Sequence, residues 1–205
     1  RQDIAFKRGE SISAQHIGAL ISAHISWVTT LDPHLHRLTS LDEVFTIPAE
    51  LAHATHPMAE WIEAHIENPI IYGPDEESEQ WVRSIAEVCG APYDVFRKTR
   101  LGDKNVQIDV PDLPATGIHT PVIVDDIISS GTTLATLVRA LNKIGHPRPI
   151  CCAVHGIFAE DAYEQLISAG AAQIITTNAL PHKTNAIDIA GVLAAAARRI
   201  ELPRN

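Results

Sequence analysis

Cysteine is scarce in this sequence of 205 residues, and the positions of the three cysteines exclude a disulfide framework. Cys89 stands alone and Cys151 and Cys152 are adjacent, so the CxxC pair of many metal sites is also missing. We therefore expect a reducing, cytoplasmic compartment. Aromatic residues contribute only 5% of the chain, but hydrophobic residues contribute 45%, which argues against wholesale disorder.

Long apolar runs and basic tracts are missing as well. No run approaches the ~18–20 apolar residues that a membrane span needs. The first residues, RQDIAFKRGES, are charged and contain no apolar segment, so the sequence shows no signal peptide. Lys and Arg number 16 against 25 Asp and Glu, which gives a net charge of −9. Because nucleic-acid binding relies on clustered positive charge, we expect neither a nucleic-acid nor a membrane partner.

Strands and helices alternate regularly in the second half of the chain. Apolar runs at residues 121–124, 150–154 and 173–177 predict strands, since none of them alternates with polar residues. The helical patterns between them end at Gly145 and Gly170. This order predicts an α/β fold whose parallel sheet is covered by helices on both faces.

The first half is less regular. Apolar residues at helical spacing predict a helix over residues 14–25. Short β-prone runs predict strands at 27–31 and 44–48. An Ala-rich pattern predicts a last helix at 187–200.

The strongest local signal follows the strand at 121–124. Two carboxylates, Asp125 and Asp126, precede a short polar loop and a helix start, and this loop, the 129–133 loop, comprises Ser129, Ser130, Gly131, Thr132 and Thr133. Ligands of parallel sheets bind beyond the carboxyl ends of the strands, and hydroxyls and N–H groups at a helix N-terminus cradle phosphate. Carboxylates suit the hydroxyl groups of a sugar. The segment therefore predicts a ribose 5-phosphate site; the simpler interpretation is that these residues only cap a turn and a helix.

Four further segments precede this loop in a specific order along the chain. They are Arg1-Gln2-Asp3 followed by residues 9–14, then Asp32-Pro33-His34, Gly73-Pro74-Asp75 and Lys98-Thr99-Arg100. Together with the 129–133 loop, the ordered set resembles the ribose-phosphate pyrophosphokinase (PRPP synthetase) family over nearly the whole chain. The segments are similar to that family's adenine-nucleotide segment, its Asp-Leu-His metal motif, its pyrophosphate loop and the Lys-x-Arg of its catalytic loop.

The resemblance implies an architecture of two related phosphoribosyltransferase-type α/β domains, of which the first is incomplete here. Residues 1–56 would be the remainder of the first domain, with the helix within 187–205 packing back on it. Residues 57–186 would form the second domain, which carries the ribose 5-phosphate loop.

The resemblance also implies an activity: transfer of the pyrophosphoryl group of MgATP to the 1-hydroxyl of ribose 5-phosphate, in a homo-oligomer with Mg²⁺ as cofactor. By motif position, Lys98 and Arg100 would be catalytic and would stabilise negative charge on the transferring group. The same argument assigns ATP to Arg1, Gln2 and Asp3, Mg²⁺ to His34 and Asp75, and ribose 5-phosphate to Asp125, Asp126 and the 129–133 loop.

Two other functions remain open at this point. A nucleobase phosphoribosyltransferase would share the 129–133 loop but would need neither Arg1-Gln2-Asp3 nor Lys98-Thr99-Arg100. A non-catalytic relative could bind the sugar phosphate and partner an active subunit. His34 and His36 form a His-x-His pair, which would suit a transition metal only with a third ligand. Ser129 stands where many family members have Asp.

Overall fold

The computed structural model describes residues 2–35, 38, 40–101, 105–109 and 118–200, and the chain divides into two compact units. Unit 1 comprises Arg1–Ala54 and Ala190–Asn205, and unit 2 comprises Thr55–Ile189. Unit 2 is thus one continuous stretch of sequence that lies between the two parts of unit 1.

The described residues form six α-helices, two 3₁₀ turns and ten strands. The helices are α1 Ser13–Ser22, α2 Thr55–His65, α3 Glu79–Cys89, α4 Thr132–Lys143, α5 Ala162–Ala169 and α6 Ala190–Arg199. The strands are β1 Val28–Leu31, β2 Ala49–Ala52, β3 Pro69–Gly73, β4 Tyr93–Val95, β5 Arg97–Leu101, β6 Asn105–Asp109, β7 Thr120–Ile128, β8 Ile150–Gly156, β9 Gln173–Thr177 and β10 Asn185–Ile187. The 3₁₀ turns are Leu41–Glu43 and Glu76–Ser78.

Unit 1 is built around the parallel pair β1–β2, with α1 and α6 as its helices. The end of α6 is fixed to β2 by one side chain. Arg199 donates from Nε to the Glu50 carboxylate at 2.9 Å and from a terminal nitrogen to the Leu51 carbonyl at 3.0 Å. The second bond satisfies a backbone acceptor, so this arginine does more than form a surface ion pair.

The predicted strand at 44–48 is wrong. Ser40 caps a 3₁₀ turn, its hydroxyl accepting from the Asp42 N–H at 3.1 Å, and the N–H groups of Val44 and Phe45 both donate to the Leu41 carbonyl. Local capping therefore outweighs the β propensity of these residues. The strand that pairs with β1 begins only after Pro48, at Ala49.

Unit 2 contains a six-stranded sheet in the order β10-β9-β8-β7-β3-β4, and every neighbouring pair is parallel. Helix α3 connects β3 to β4, α4 connects β7 to β8, and α5 connects β8 to β9. All three helices bury their apolar sides. The predicted α/β fold with a parallel sheet is confirmed. The core is mostly aliphatic, with Tyr72 and Phe96 as its largest fully buried side chains.

One hairpin was not predicted. Strands β5 and β6 pair antiparallel, with Lys98 opposite Ile108 and Arg100 opposite Val106.

None of the helices in the described part of the chain has the length and the apolar character that a membrane span requires.

Candidate active site

The sheet of unit 2 reverses its direction of growth between β3 and β7. From β3 the chain continues to its neighbour β4 on one side, and β7, which follows the hairpin, pairs with β3 on the other side. Further strands then extend the sheet away from β3 through β8 and β9. Such a reversal opens a crevice at the carboxyl ends of the two central strands, where ligands bind in open α/β sheets.

Asp75 follows β3 at this crevice, and a close-packed turn fixes its backbone. The Ser78 hydroxyl donates to the Asp75 carbonyl at 2.5 Å, and the Ser78 N–H donates to the same oxygen at 3.2 Å. A Cβ on Gly73 would lie 2.3 Å from the Ser78 hydroxyl oxygen and 2.7 Å from a Val82 methyl group. Only glycine therefore allows this turn to pack against the end of β3 and hold Asp75 there.

Asp125 and Asp126 lie within β7, which continues to Ile128 instead of ending at residue 124. Asp125 is opposite Ala153 of β8, and its carboxylate accepts the Asp126 N–H at 3.0 Å. Burial raises the pKa of the Asp125 carboxyl well above its usual range, and the negative charges of Asp126 and Asp75 raise it further. The Asp125 carboxyl group thus lies within electrostatic reach of Asp126 and Asp75, an environment in which a bound cation or hydroxyl donors would stabilise its charge.

The 129–133 loop connects β7 to α4. Gly131 directly precedes α4 and has a φ of +71°, which residues other than glycine rarely adopt. Because glycine has no side chain, Gly131 makes no capping hydrogen bond to the first turn of the helix. Thr132 and Thr133 are exposed, and the Ser130 and Thr132 hydroxyls lie 3.2 Å apart. N–H groups of a first helical turn have no intrahelical acceptor, so this end of α4 presents donors and hydroxyls suited to an anion.

The hairpin carries the two predicted catalytic residues. Lys98 and Arg100 occupy alternate positions of β5, directly after Arg97, whose guanidinium lies 3.4 Å from the Glu76 carboxylate. Glu76 belongs to the 3₁₀ turn that follows Asp75. An exposed ion pair such as Arg97–Glu76 contributes little to the stability of the protein. It does show that the base of the hairpin lies beside the turn after β3.

The residues predicted to bind ATP, and His34 of the predicted metal site, belong to unit 1. Gln2 donates its side-chain amide to the backbone carbonyl of His34, and Asp3 is buried. Arg1 lies outside the described residues. The structure therefore brings Gln2 into contact with the loop that carries His34, although the two residues are 32 positions apart in sequence.

Sequence reasoning missed His53. Asp32 has a φ of +34°, and its carboxylate accepts the Ala54 N–H at 2.7 Å and lies 2.8 Å from Nδ1 of His53. Asp32 thus shapes the turn that leads to His34. The pairing depends on the register that sets Leu31 opposite Ala52, and no local pattern signals it.

The donor chemistry of the crevice fits Mg²⁺. Magnesium prefers oxygen ligands and keeps several waters, and Asp75, Asp125 and Asp126 provide carboxylates. Within the described part of the chain, no group of three or more His, Cys, Asp or Glu side chains is arranged so that it could hold a metal ion by itself. An ion held partly by water and substrate oxygens is therefore the type of metal that these residues suit.

Comparison with known proteins gives consistent results. Residues 40–189 match the family model described as "Phosphoribosyl transferase domain". The chain is 35% identical over 201 residues to a ribose-phosphate pyrophosphokinase of Methanosarcina acetivorans, covering 98% of this chain and 69% of that one. It is 32% identical over 203 residues to the enzyme of that name from Sulfurisphaera tokodaii, with coverages of 98% and 68%. The chain thus spans about two thirds of the length of these relatives.

Solved structures show the same likeness. A phosphoribosylpyrophosphate synthetase from Mycobacterium smegmatis superposes with a TM-score of 0.78 at 27% identity, covering 96% of this chain and 66% of that one. An adenine phosphoribosyltransferase from Thermoanaerobacter pseudethanolicus reaches a TM-score of 0.50 at 16% identity over 60% of this chain, which is a likeness of fold alone.

Proposed function

Because the chain belongs to the phosphoribosyl transferase domain family and, within it, to the ribose-phosphate pyrophosphokinases, we propose that it catalyses their reaction. The pyrophosphoryl group of MgATP is transferred to the 1-hydroxyl of ribose 5-phosphate, which gives PRPP and AMP. One observation carries this proposal: the carboxylates of β7 and the N-terminal end of α4 lie together at the crevice between β3 and β7.

Ribose 5-phosphate occupies this crevice in the proposal. The phosphate is held by the N–H groups and hydroxyls of Ser129, Ser130, Gly131, Thr132 and Thr133. Asp125 and Asp126 accept hydrogen bonds from the ribose hydroxyls. Burial raises the pKa of Asp125 and the charge of Asp126 raises it further, which supports this assignment, because hydroxyl donors or a cation would stabilise the ionised carboxylate.

Lys98 and Arg100 are the proposed catalytic residues. Phosphoryl-type transfer requires positioning and stabilisation of negative charge more than covalent help from the protein. Two cations at alternate positions of a hairpin strand can supply that stabilisation where water is excluded.

ATP and its metal involve unit 1 in the proposal. Arg1, Gln2 and Asp3 bind the nucleotide, and His34 and Asp75 are each a candidate ligand of Mg²⁺, which would supply charge neutralisation. Asp75 offers the oxygen that Mg²⁺ prefers, and His34 is the less usual ligand type. The free thiols of the three cysteines fit a reducing, cytoplasmic compartment. We also propose that the protein forms a homo-oligomer, and light scattering would test this.

The decisive experiment measures AMP formation by the purified chain with MgATP, with and without ribose 5-phosphate. We expect AMP only when ribose 5-phosphate is present. Lys98→Ala should lower turnover about a hundredfold or more and leave ribose 5-phosphate affinity unchanged. Lys143→Ala, a change at an exposed lysine in the last turn of α4, is the matched control and should retain full turnover.

Other outcomes identify the alternatives. Base-dependent release of pyrophosphate from PRPP, without AMP formation, would indicate a nucleobase phosphoribosyltransferase. Binding of ribose 5-phosphate without either reaction would indicate a non-catalytic relative. Full turnover in Lys98→Ala would contradict the role of that lysine.

A further inference from the structure

The segment between β8 and α5, residues 157–161, holds the start of the 129–133 loop through its backbone. The N–H groups of Ile157 and Phe158 both donate to the Ile128 carbonyl at 3.0 Å, and the Ala159 N–H donates to the Ser129 carbonyl at 3.1 Å. Three consecutive backbone donors thus fix the two carbonyl groups at which β7 passes into the loop. We call this segment the 157–161 brace.

Ala162, the residue that follows the brace, limits the space around the loop's glycine. A Cβ added to Gly131 would lie 3.1 Å from the Ala162 carbonyl oxygen and 3.3 Å from the Ala162 Cβ. The first residue of α5 therefore lies directly against the turn that opens α4. A displacement of the brace would move this contact and the three hydrogen bonds together.

The brace is itself strained. Phe158 has a φ of +48° and Glu160 a φ of +55°, and neither is glycine. Residues with side chains adopt this left-handed region at a cost, and such conformations persist only where the surroundings determine them. The backbone of the brace therefore needs an external restraint to keep the geometry that its hydrogen bonds require.

An aromatic cluster supplies that restraint. The Phe158 ring stacks on His182 with centroids 4.3 Å apart and meets Tyr163 edge-on at 6.1 Å. His182 is held in turn, since its Nδ1 lies 2.8 Å from the Thr184 hydroxyl, which lies 2.7 Å from the hydroxyl of buried Thr176. The ring of Phe158 is thus fixed from α5 and from the connection between β9 and β10.

We propose that Phe158 is a positioning residue for the 129–133 loop: its clamped ring keeps the brace in the strained conformation that holds the Ile128 and Ser129 carbonyls. The loop is then already in its binding geometry before the sugar phosphate arrives, so less ordering cost opposes binding. This inference rests on the proposed function, because that function gives the loop its ligand.

Hydrogen exchange of the full chain tests the proposal without any ligand. In Phe158→Ala, the amides of residues 128–136 and 157–159 should exchange about tenfold faster, because the brace relaxes. Phe158→Tyr retains the ring and should exchange like the original protein. Leu141→Ala removes a fully buried side chain farther along α4 and should leave exchange of these segments unchanged, although it lowers the melting temperature.

Ligand binding supplies the second measurement. The Kd for ribose 5-phosphate, measured by calorimetry, should rise about tenfold in Phe158→Ala and stay close to the original value in Phe158→Tyr and Leu141→Ala. In turnover, the KM for ribose 5-phosphate should rise while the KM for ATP stays unchanged.

Two results would overturn the proposal. One is unchanged exchange of both segments in Phe158→Ala. The other is an equal loss of ribose 5-phosphate affinity in Phe158→Ala and Leu141→Ala, which would make the effect one of overall stability. If the original protein does not bind ribose 5-phosphate at all, the proposed function fails, and the exchange comparison still decides whether Phe158 positions the loop.

Discussion

At the residue scale, Gly73 and Gly131 are glycine for different reasons. Gly73 has ordinary backbone angles, and close approach of Ser78 and Val82 excludes a side chain there. Gly131 combines a left-handed backbone with the proximity of Ala162. The first is a constraint on packing and the second is a constraint on both packing and conformation.

Gly73→Ala should lower the free energy of unfolding by about 1–3 kcal/mol, because the new methyl group overpacks the turn after β3. Urea denaturation measures the change. Gly191→Ala is the control: a Cβ there meets nothing within 4 Å, and alanine favours the helix it would join. Equal stability of Gly73→Ala and the original protein would contradict the packing argument.

His146 predicts a pH dependence of stability. It is 7% exposed, its Nε2 lies 3.5 Å from the Tyr72 hydroxyl, and its buried Nδ1 has no hydrogen-bond partner among the described residues. Burial lowers the pKa of His146, and the charge of His119 lowers it further, whereas burial and Asp94 raise the pKa of Tyr72 to about 12. The folded protein therefore holds this histidine neutral beside a neutral tyrosine.

The sign follows from linkage. The unfolded chain binds a proton at the ordinary histidine pKa, but the folded chain does so only at lower pH, so stability is lost as pH falls below that ordinary value. Unfolding free energies measured at about pH 7.5 and 5.5 should show this loss, and His146→Phe should reduce it. His24→Gln, a change at an exposed histidine, should not. An identical pH dependence in His146→Phe would contradict the prediction.

At the element scale, the end of α6 depends on Arg199. Arg199→Ala removes an ion pair with Glu50 and leaves the Leu51 carbonyl without this donor. Because both groups are partly exposed, we expect a loss of only about 1 kcal/mol, with faster proteolysis at α6. Arg198→Ala, on the adjacent exposed residue, should show neither effect. Equal proteolysis of the two variants would exclude a specific role for Arg199.

How far the sequence predicts these elements depends on the range of the forces involved. The parallel sheet and the 129–133 loop follow from apolar runs, glycines and hydroxyl residues that lie close together in sequence. The 44–48 strand failed because Ser40 caps a turn that local β propensity does not reveal. The conformation of Phe158 could not be predicted, since it is imposed by His182, 24 positions away in sequence, and by the strands that hold it. The Asp32–His53 contact required the register of β1 and β2.

At the scale of the whole molecule, unit 2 has the elements of an independent domain. It contains all six strands of the larger sheet and most of the buried aliphatic residues in one continuous stretch, Thr55–Ile189. A sheet of this size with covering helices can bury enough apolar surface to fold alone.

We expect residues 55–189, produced as a separate protein, to melt cooperatively and to bind ribose 5-phosphate in calorimetry. The same protein should form no AMP, because the residues proposed to bind ATP lie in unit 1. Asp125→Asn in this shorter protein is the matched control and should lose sugar-phosphate binding while it retains the cooperative melt. A molten, non-cooperative product would show that unit 2 needs unit 1 to fold.

The interruption of unit 1 by unit 2 also has a consequence for the order of events on the ribosome. Domains fold as units while the chain emerges, beginning with what is synthesised first. Unit 2 is complete once residue 189 has emerged, whereas the β1–β2 pair of unit 1 must wait for α6, which is made afterwards. The nascent protein therefore passes through an interval in which unit 2 is finished and β1 and β2 still lack the helix that packs against them.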